Sequence, residues 1–307
     1  MSYFQARTDL ALEAREFIED ANGSLRGVIV EEYDAREAEI HVTQVKITTK
    51  NGARLLGKPV GTYVTLEVPG LAEPEPEGEE EQGRLVAREI SEQLKSLLST
   101  ETKTPSVLVV GVGNREVTAD ALGPAVVDDL CVTRHILREY GKAAVTSGEP
   151  VMVSAIAPGV MAKTGMETAE IVAGIVKETK PDVLVVVDAL AARSTRRLNR
   201  TIQISNTGIH PGSGVGNHRN AITEESLGIP VIAIGVPTVV DAATIVADAL
   251  EKMHRDLKEA VFLQARESTL MGQLNNLYVT GKDVDAAIKR LSSVLARALN
   301  LTFGMEA

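Results

Sequence analysis

Tryptophan is absent from the sequence, and its 307 residues include four Phe and five Tyr. Because large aromatic side chains are scarce, a core has to be built from Val, Ile, Leu and Ala, for which the apolar fraction of 44% is ample. A chain of this length forms one large domain or two of ordinary size.

Cysteine is almost absent, and Cys131 is its one occurrence. A single cysteine excludes an internal disulfide and a zinc site built from cysteines. Cys131 follows Leu130 in a segment with helical periodicity, so we interpret it as a small residue of the core.

Long apolar runs are also missing, since none approaches the roughly 20 residues of a membrane-spanning helix. The first residues, "MSYFQARTDLALEARE", carry acidic side chains and no continuous apolar segment, unlike a signal peptide. We therefore expect a soluble, intracellular protein without membrane contact.

Basic residues are fewer than acidic ones, and the formal net charge is −10. This charge argues against direct nucleic-acid binding. An acidic surface is compatible with basic protein substrates, although solubility alone also favours it. The stretch 72–83, "AEPEPEGEEEQG", holds six Glu and two Pro and no basic residue. It is predicted to be an acidic loop, with a docking strip for a basic partner as the alternative.

Several catalytic motifs are absent: the Gly-x-Ser-x-Gly elbow, the His-Glu-x-x-His zinc pair, the Gly-x4-Gly-Lys-Ser/Thr phosphate loop and the Asp-Thr/Ser-Gly signature of pepsin-like enzymes. His210 and His218 lack the His-x3-His spacing of a metal pair. These patterns predict no metal and no cofactor.

Strand patterns divide the chain in two. Residues 27–33, 39–47 and 62–68 alternate and follow one another closely, which predicts an N-terminal antiparallel portion, with "NGARLLGKPVG" as a turn-rich connection. Five later segments are short, branched and apolar, as in strands buried on both faces: 106–112, 151–157, 182–190, 201–205 and 230–236.

Helical segments lie between or beside these apolar strands: 84–99, 121–140, 164–179, 239–259 and 284–299. Thr164 and Glu167 fit a capping box at the start of one of them. The alternation predicts an α/β fold with a mostly parallel sheet flanked by helices, in addition to the antiparallel portion.

The loop "VLVVGVGNREVTADALGP" follows the first apolar strand. Gly111 and Gly113 resemble the start of a dinucleotide fingerprint, but position 116 is Glu where a third glycine is needed. Ligands bind at the carboxyl ends of strands in such sheets, which directs attention to Asn114 and Asp120. Asp120 alone fits an N-cap of the following helix equally well.

A second acid, Asp188, stands near the end of another buried strand, in "VLVVVDALAARS". A carboxylate there is costly unless it is hydrogen-bonded or used. Two acids at one sheet edge tend to share a proton, because their repulsion raises one pKa. Asp120 and Asp188 could then act as base and acid of a hydrolase.

The loop "NTGIHPGSGVGNHRN" (206–220) either presents backbone N–H groups to a substrate or only reverses the direction of the chain.

The same stretches resemble the germination protease family of spore-forming Firmicutes. The similar strings run in order along most of the chain: "RTDLALEA" (7–14), "GVIVEE" (27–32), "YVTLEVPG" (63–70), "VGVGNREVTADALGP" (110–124), "SAIAPGVMAKTGMET" (154–168), "VVDALAARS" (186–194), "TIQISNTGIHPGSGVGN" (201–217) and "LGIPVIAIGVPTVVDA" (227–242).

The resemblance implies an atypical aspartic endopeptidase with a fold like that of hydrogenase maturation proteases and with Asp120 and Asp188 as catalytic acids. It implies small acid-soluble spore proteins as substrates, a cytoplasmic location in the forespore and spore core, and a homotetrameric zymogen that removes its own propeptide. We expect Asn114, Arg193, His210, Ser213 and Gly214 to contact substrate.

Self-cleavage is expected between Asp9 and Leu10, where an acid precedes an apolar residue, a small residue and, further on, Glu, as in the family's substrates. Residues 1–9 would be the propeptide, 10–71 a β-rich portion, 72–83 the acidic loop and 84–307 the peptidase core. Thr8 and Asp9 could instead only cap the helix that follows them.

Two departures from the family pattern are visible. Ala119 replaces the usual proline before the catalytic acid, and the region between "EKMHRDLKEA" and "NNLYVTGKDVD" is shorter than in many members. Because the related maturation proteases bind nickel, a metal site at Asp120, Asp188 and His210 is one rival hypothesis. A nucleotide-binding or non-catalytic protein is the other.

Overall fold

The computed structural model describes residues 8–20, 26–35, 39–73, 81–98, 105–141, 151–210, 220–246, 249, 274 and 277–305. Within these ranges the strands are β1 (Val28–Asp34), β2 (His41–Ile47), β3 (Gly61–Glu67), β4 (Ser106–Gly111), β5 (Met152–Ile156), β6 (Val183–Ala192), β7 (Thr201–Ser205), β8 (Val231–Asp241) and β9 (Tyr278–Val279).

The helices with defined bounds are α1 (Ala11–Asp20), α2 (Lys50–Leu56), α3 (Glu81–Leu97), α4 (Leu122–Asp128), α5 (Arg134–Tyr140), α6 (Met161–Thr164), α7 (Thr168–Thr179), α8 (Glu224–Leu227) and α9 (Val284–Thr302). Single 3-10 turns occur at Thr118–Asp120 and Thr195–Arg197.

All nine of these strands belong to one mixed sheet in the order β1-β2-β3-β7-β8-β6-β4-β5, with β9 paired to β8. The pairs from β8 through β6 and β4 to β5 are parallel, and the pairs from β1 to β8 are antiparallel. The predicted α/β class and the N-terminal antiparallel strands are thus confirmed. Strand β7 is antiparallel to both of its neighbours, although its apolar sequence had placed it among the parallel strands.

The central strands are apolar throughout because helices or the N-terminal segment cover both faces of the sheet. In β6, Val185 and Val187 point into a core shared with α3 and α9, whereas Leu184 and Val186 point into a core shared with α7. Side chains alternate between the faces of a strand, so a strand buried on both sides needs no polar positions.

The predicted helix 121–140 is broken into α4 and α5, and Cys131 lies in the break with an exposed side chain. The interpretation of Cys131 as a core residue is therefore wrong. The Thr133 hydroxyl donates to the carbonyl oxygen of Val151 at 2.6 Å and accepts from the N–H of Val153 at 2.9 Å, which ties the break to β5.

The predicted capping box at Thr164 is also wrong, because Gly165 at φ 73° ends α6 first. Glu167 is the N-cap of α7, and its N–H donates to the Glu170 carboxylate at 2.9 Å. The box is thus shifted by three residues along the chain.

Three other boundaries differ from those expected. The turn-rich connection contains α2, because the Thr49 hydroxyl caps its first turn by accepting from the N–H of Gly52. Helix α3 begins at Glu81, so the last residues of the predicted acidic loop are helical. Residues 239–241 belong to β8 and 242–246 are helical, and most of the remaining predicted helix to 259 lies outside the described residues.

Candidate active site

The end of β4 and the start of α4 approach each other closely because both carry glycine. A Cβ on Gly111 would lie 2.1 Å from the carbonyl oxygen of Gly123, and a Cβ on Gly123 would lie 2.4 Å from that of Val112. Gly111 and Gly123 thus allow α4 to pack on the ends of β4 and β6.

Gly113 and Asn114 close the loop that carries Asp120. Gly113 has φ +126°, and a Cβ there would lie 2.0 Å from the carbonyl oxygen of Asp120. The Asn114 N–H donates to that same oxygen at 2.9 Å, and the Asn114 side chain accepts from the N–H of Glu116. The loop therefore fixes the backbone of Asp120 by hydrogen bonds within itself.

Asp120 ends the 3-10 turn that precedes α4, whose N-cap residue is Ala121. The alternative of Asp120 as N-cap residue therefore does not hold. The Thr238 hydroxyl of β8 donates to the carbonyl oxygen of Ala119 at 2.6 Å. This bond holds the turn in place at Ala119, one residue before the acid.

Asp188 lies within β6, which continues to Ala192, four residues beyond the acid. The pairing of β4 with β6 ends at Gly111 and Val187, so Asp188 is the first residue of β6 that β4 leaves uncovered. The Asp188 residue is 8% exposed, and its carboxylate accepts from the N–H of Ala189 at 2.9 Å.

A cavity of about 520 Å³ opens at this edge of the sheet, and Asp120 and Asp188 both line it. Other polar residues in its wall come from the N-terminal segment, from the connection between α2 and β3, and from β7 and the loop after it: Asp9, Lys58, Gln203, Ser205, Thr207 and His210.

The N-terminal segment is docked in the cavity. The Asp9 N–H donates to the carbonyl oxygen of Ala191 at 3.0 Å, and the Ala191 N–H donates to the Asp9 carboxylate at 3.0 Å. Leu10 is fully buried beside Ala192 and Val240. The chain around Asp9 thus lies along the part of β6 that β4 does not cover.

Two side chains of the cavity wall also bind the Asp9 backbone. Its carbonyl oxygen accepts from the ammonium group of Lys58 at 3.0 Å and from the side-chain amide of Gln203 at 3.2 Å. Lys58 donates to the carbonyl oxygen of Thr8 as well, and the Gln203 side-chain oxygen accepts from the N–H of Ala11 at 2.7 Å.

Two titrating groups of the cavity wall are perturbed by burial. Desolvation lowers the pKa of Lys58, and the negative charges of Asp9 and Glu13 oppose that shift. Desolvation raises the pKa of Tyr63 to about 12, and its hydroxyl donates to the carbonyl oxygen of Pro59. An ammonium group in this position is costly, and the contacts with the N-terminal segment offset the cost.

A second anchor holds the segment at Glu13, which is 4% exposed. Its carboxylate accepts from the N–H groups of Arg193 and Ser194 at 2.8 and 2.9 Å. The buried Arg197 guanidinium lies 3.6 Å from the same carboxylate and 2.6 Å from those of Glu16 and Glu67.

The residues predicted to contact substrate are distributed unequally. His210 lines the cavity, whereas Asn114 and Arg193 do not; Asn114 closes its own loop and the Arg193 backbone binds Glu13. Ser213 and Gly214 lie outside the described residues. Asp120 and Asp188 share one cavity, but their role stays a prediction.

Sequence patterns did not reveal Lys58 or Gln203, and they gave Glu13 as part of the expected cleavage pattern without predicting its burial. Gln203 offers a weak signal, as the polar residue inside the apolar strand "TIQIS". Lys58 stands in a polar connection and Glu13 in an amphipathic helix, where a charge is expected to face solvent. Their burial depends on contacts between distant parts of the chain.

Among the residues that the structure describes, no three of His, Cys, Asp and Glu are grouped so that they could hold a metal ion, although Asp120, Asp188 and His210 line one cavity. None of the helices formed by those residues is long and apolar enough to cross a bilayer.

Comparison with known proteins gives a consistent result. The profile of the germination protease family matches residues 5–269. The germination protease of Caldanaerobacter subterraneus is 48% identical to this chain, and the match covers 96% of this chain and 93% of that protein. The germination protease of Clostridium perfringens is 43% identical, and the match covers 97% of this chain and 95% of that protein. That of Bacillus cereus is 40% identical over 352 residues, covering 98% of this chain and 94% of its own.

Among solved structures, the [NiFe] hydrogenase maturation protease HycI from Thermococcus kodakarensis is similar with a TM-score of 0.33 and 17% identity. The match covers 68% of this chain and 99% of that one.

Proposed function

The chain belongs to the germination protease family, and we propose that it is an endopeptidase in which Asp120 and Asp188 hydrolyse the peptide bond. The observation that carries this proposal is the shared cavity, which two acids from different elements line together with Asp9 of the docked peptide segment. Acid–base catalysis by a carboxylate pair needs this combination of two acids and a substrate backbone.

In the proposed reaction, the ionised carboxylate of the pair takes a proton from water, and the water oxygen attacks the carbonyl carbon. The electron pair of the carbonyl bond moves to its oxygen. The tetrahedral intermediate then re-forms the carbonyl and breaks the carbon–nitrogen bond, while the protonated carboxyl gives its proton to the leaving nitrogen. One acid has gained a proton and the other has lost one, so the pair again holds a single proton.

The self-processing part of the proposal concerns the bond between Asp9 and Leu10. Residues 1–9 would be a propeptide that keeps the chain a zymogen, since the docked segment takes up part of the wall of the cavity that a substrate would enter. The segment offers an acid at 9, a fully buried apolar residue at 10, Ala11 and the anchored Glu13. This order supports the expectation that it is bound as a substrate would be.

The proposed substrates are small acid-soluble spore proteins, cleaved in the spore core during germination by a homotetrameric enzyme. Membership of the germination protease family supports this proposal, and the net charge of −10 is compatible with basic substrates. The pattern around Asp9 gives the sequence that cleaved bonds in those substrates should resemble.

Incubation of the purified full-length chain at mildly acidic pH, followed by intact-mass measurement, tests the proposal. The wild type should lose residues 1–9, and Asp120→Asn and Asp188→Asn should each slow the cut by about 10²-fold or more. Asp129→Asn changes an exposed acid at the end of α4 and should leave the rate unchanged.

Circular dichroism should show that both dyad variants are folded, and exhaustive chelation should not change the wild-type rate. Digestion of a small acid-soluble spore protein, with the cut sites mapped by mass spectrometry, tests the substrate. If a folded Asp120→Asn or Asp188→Asn chain cut itself at more than about a tenth of the wild-type rate, that residue would not be one of the catalytic acids.

A further inference from the structure

Two hydrogen-bond donors from distant parts of the sequence converge on one carbonyl oxygen inside the cavity. The oxygen of Asp9 accepts from Lys58 Nζ at 3.0 Å and from Gln203 Nε2 at 3.2 Å. This oxygen belongs to the peptide bond between Asp9 and Leu10, which the proposed self-processing would break.

Lys58 is brought to this place by the end of α2. Gly57 ends the helix in the left-handed conformation at φ 63°, and the Lys58 N–H donates a hydrogen bond to the carbonyl oxygen of Ala53. The side chain then extends into the cavity, where its ammonium group donates to two successive backbone carbonyls, those of Thr8 and Asp9.

Gln203 reaches the same oxygen from the sheet. It stands opposite Gly235, which stands opposite Asp188, so Gln203 and Asp188 occupy one register line across three adjacent strands. Side chains at such positions share a face of the sheet, and two strand spacings separate these backbones by about 10 Å. The carbonyl-binding amide and one acid of the pair therefore face the same cavity from fixed elements.

We propose that Lys58 and Gln203 form the carbonyl-binding site of the enzyme, which stabilises negative charge on the carbonyl oxygen of the bond being hydrolysed. This proposal rests on the proposed function, to which it adds two catalytic residues that contact a reacting atom. Donors held in place before the reaction are effective because charge develops on that oxygen as water attacks.

Contacts other than those of Lys58 also hold the segment in place. The Asp9 N–H and carboxylate bind Ala191, the Ala11 N–H binds Gln203, and Leu10 is fully buried. Replacing the ammonium group removes two bonds to carbonyl oxygens and leaves these four contacts intact. Docking and catalysis can therefore be measured separately.

The rate test uses the full-length chain. Lys58→Met keeps the length of the side chain without its charge and donors, and it should slow the cut between Asp9 and Leu10 by about 10²- to 10³-fold, as loss of a donor to a developing oxyanion does. Lys46→Met, a matched change at an exposed lysine of β2, should cut at the wild-type rate. Intact-mass measurement over time gives the three rate constants.

The docking test uses hydrogen–deuterium exchange of the Ala11 amide. It is made in the Asp120→Asn background, so that the segment stays uncut, with and without Lys58→Met. Equal protection in both chains, together with the slowed cut, supports a catalytic role for Lys58. Protection that falls by the same factor as the rate would show that Lys58 only docks the segment, and it would overturn the proposal.

A cut by Lys58→Met within threefold of the wild-type rate would also overturn the proposal and would leave the two-aspartate function standing. If wild type itself made no cut at Asp9, both proposals would fail. Should Lys58→Met melt below the assay temperature, Lys58→Leu, which also lacks a donor, takes its place with the same expected loss and the same overturning results.

Discussion

At the scale of single residues, the position of Asp120 depends on Gly113. Gly113→Ala would place a Cβ 2.0 Å from the carbonyl oxygen of Asp120 at a φ of +126°. We expect this change to lower the free energy of unfolding by more than about 1 kcal/mol and to abolish self-cleavage, because the loop must open to relieve the contact. Urea denaturation and intact-mass measurement give the two results.

Gly174 provides the matched control for this prediction. It lies within α7, and a Cβ there would meet nothing within 4 Å. Gly174→Ala should therefore raise the free energy of unfolding by about 0.5–1 kcal/mol, since glycine is unfavourable inside a helix, and should leave cleavage unchanged. Wild-type cleavage by a folded Gly113→Ala chain would show that the loop does not position the acid.

The two acids could be selected from the sequence because each follows an apolar run that predicts a buried strand. The carboxyl ends of parallel strands lie at the same edge of a sheet. The groups that bind the backbone of Asp9 were not visible. Lys58 stands in a polar connection and acquires its contacts only when the N-terminal segment is docked, as does Gln203. A local sequence pattern predicts the structure of the element in which a residue lies. It does not predict these contacts, because Lys58 and Gln203 bind a segment that is about 50 and about 190 residues away along the chain.

At the scale of elements, continuous runs of Val, Ile and Leu identified the buried strands, because a strand covered on both faces needs apolar residues at every position. The direction of each strand relative to its neighbours could not be predicted from these runs. Strand β7 is apolar like its parallel neighbours, yet its pairing with β3 and β8 is antiparallel. Residues 50–56 form α2 despite an internal glycine, because Thr49 and Gly57 cap both ends.

Charged groups help to attach the N-terminal helix α1 to the rest of the fold, in addition to the packing of Ala11 against Val45 and Ile47. Arg197→Met removes the guanidinium that faces Glu13, Glu16 and Glu67. It leaves the buried Glu13 carboxylate with uncharged donors, which are two backbone N–H groups and the Thr8 hydroxyl. We expect the free energy of unfolding of the uncut Asp120→Asn chain to fall by about 3–5 kcal/mol, as when one partner of a buried ion pair is removed. Urea denaturation at a fixed protein concentration measures the change.

Arg200→Met is the control, because Arg200 meets Glu73 at 3.4 Å with both side chains exposed. Its loss should cost less than about 1 kcal/mol. Equal effects of Arg197→Met and Arg200→Met would mean that the buried cluster does not hold α1 in place.

At the scale of the whole molecule, the β-rich portion and the peptidase core share one sheet, since β3 pairs directly with β7. The family profile likewise spans both, from residue 5 to 269. The boundaries predicted for the two portions stay a prediction. The cavity draws its wall from both, because Lys58 and Tyr63 come from the first and the two acids from the second.

This arrangement predicts that each chain cuts its own N-terminal segment, even within the proposed tetramer. The Asp9 carbonyl is bound by Lys58 and Gln203 of the same chain, and Leu10 is buried in that chain's own core. A bond held in the same cavity as the proposed catalytic acids of its own chain reacts as a unimolecular system, so the rate constant should not change with protein concentration. Serial dilution followed by intact-mass measurement tests this point.

Co-expression of wild type with an Asp120→Asn chain, distinguished by a short mass tag at the C-terminus, separates cutting within a chain from cutting by a neighbouring subunit. Mixed oligomers place each inactive chain beside active ones. If every chain cuts itself, the tagged chain stays at full length while the wild type loses residues 1–9, because the intact Asp120 and Asp188 of a neighbour cannot reach a segment docked in another cavity. Removal of the segment from the tagged chain at a rate near that of the wild type would contradict this prediction, since the docked segment would then have to leave its own cavity before it is cut.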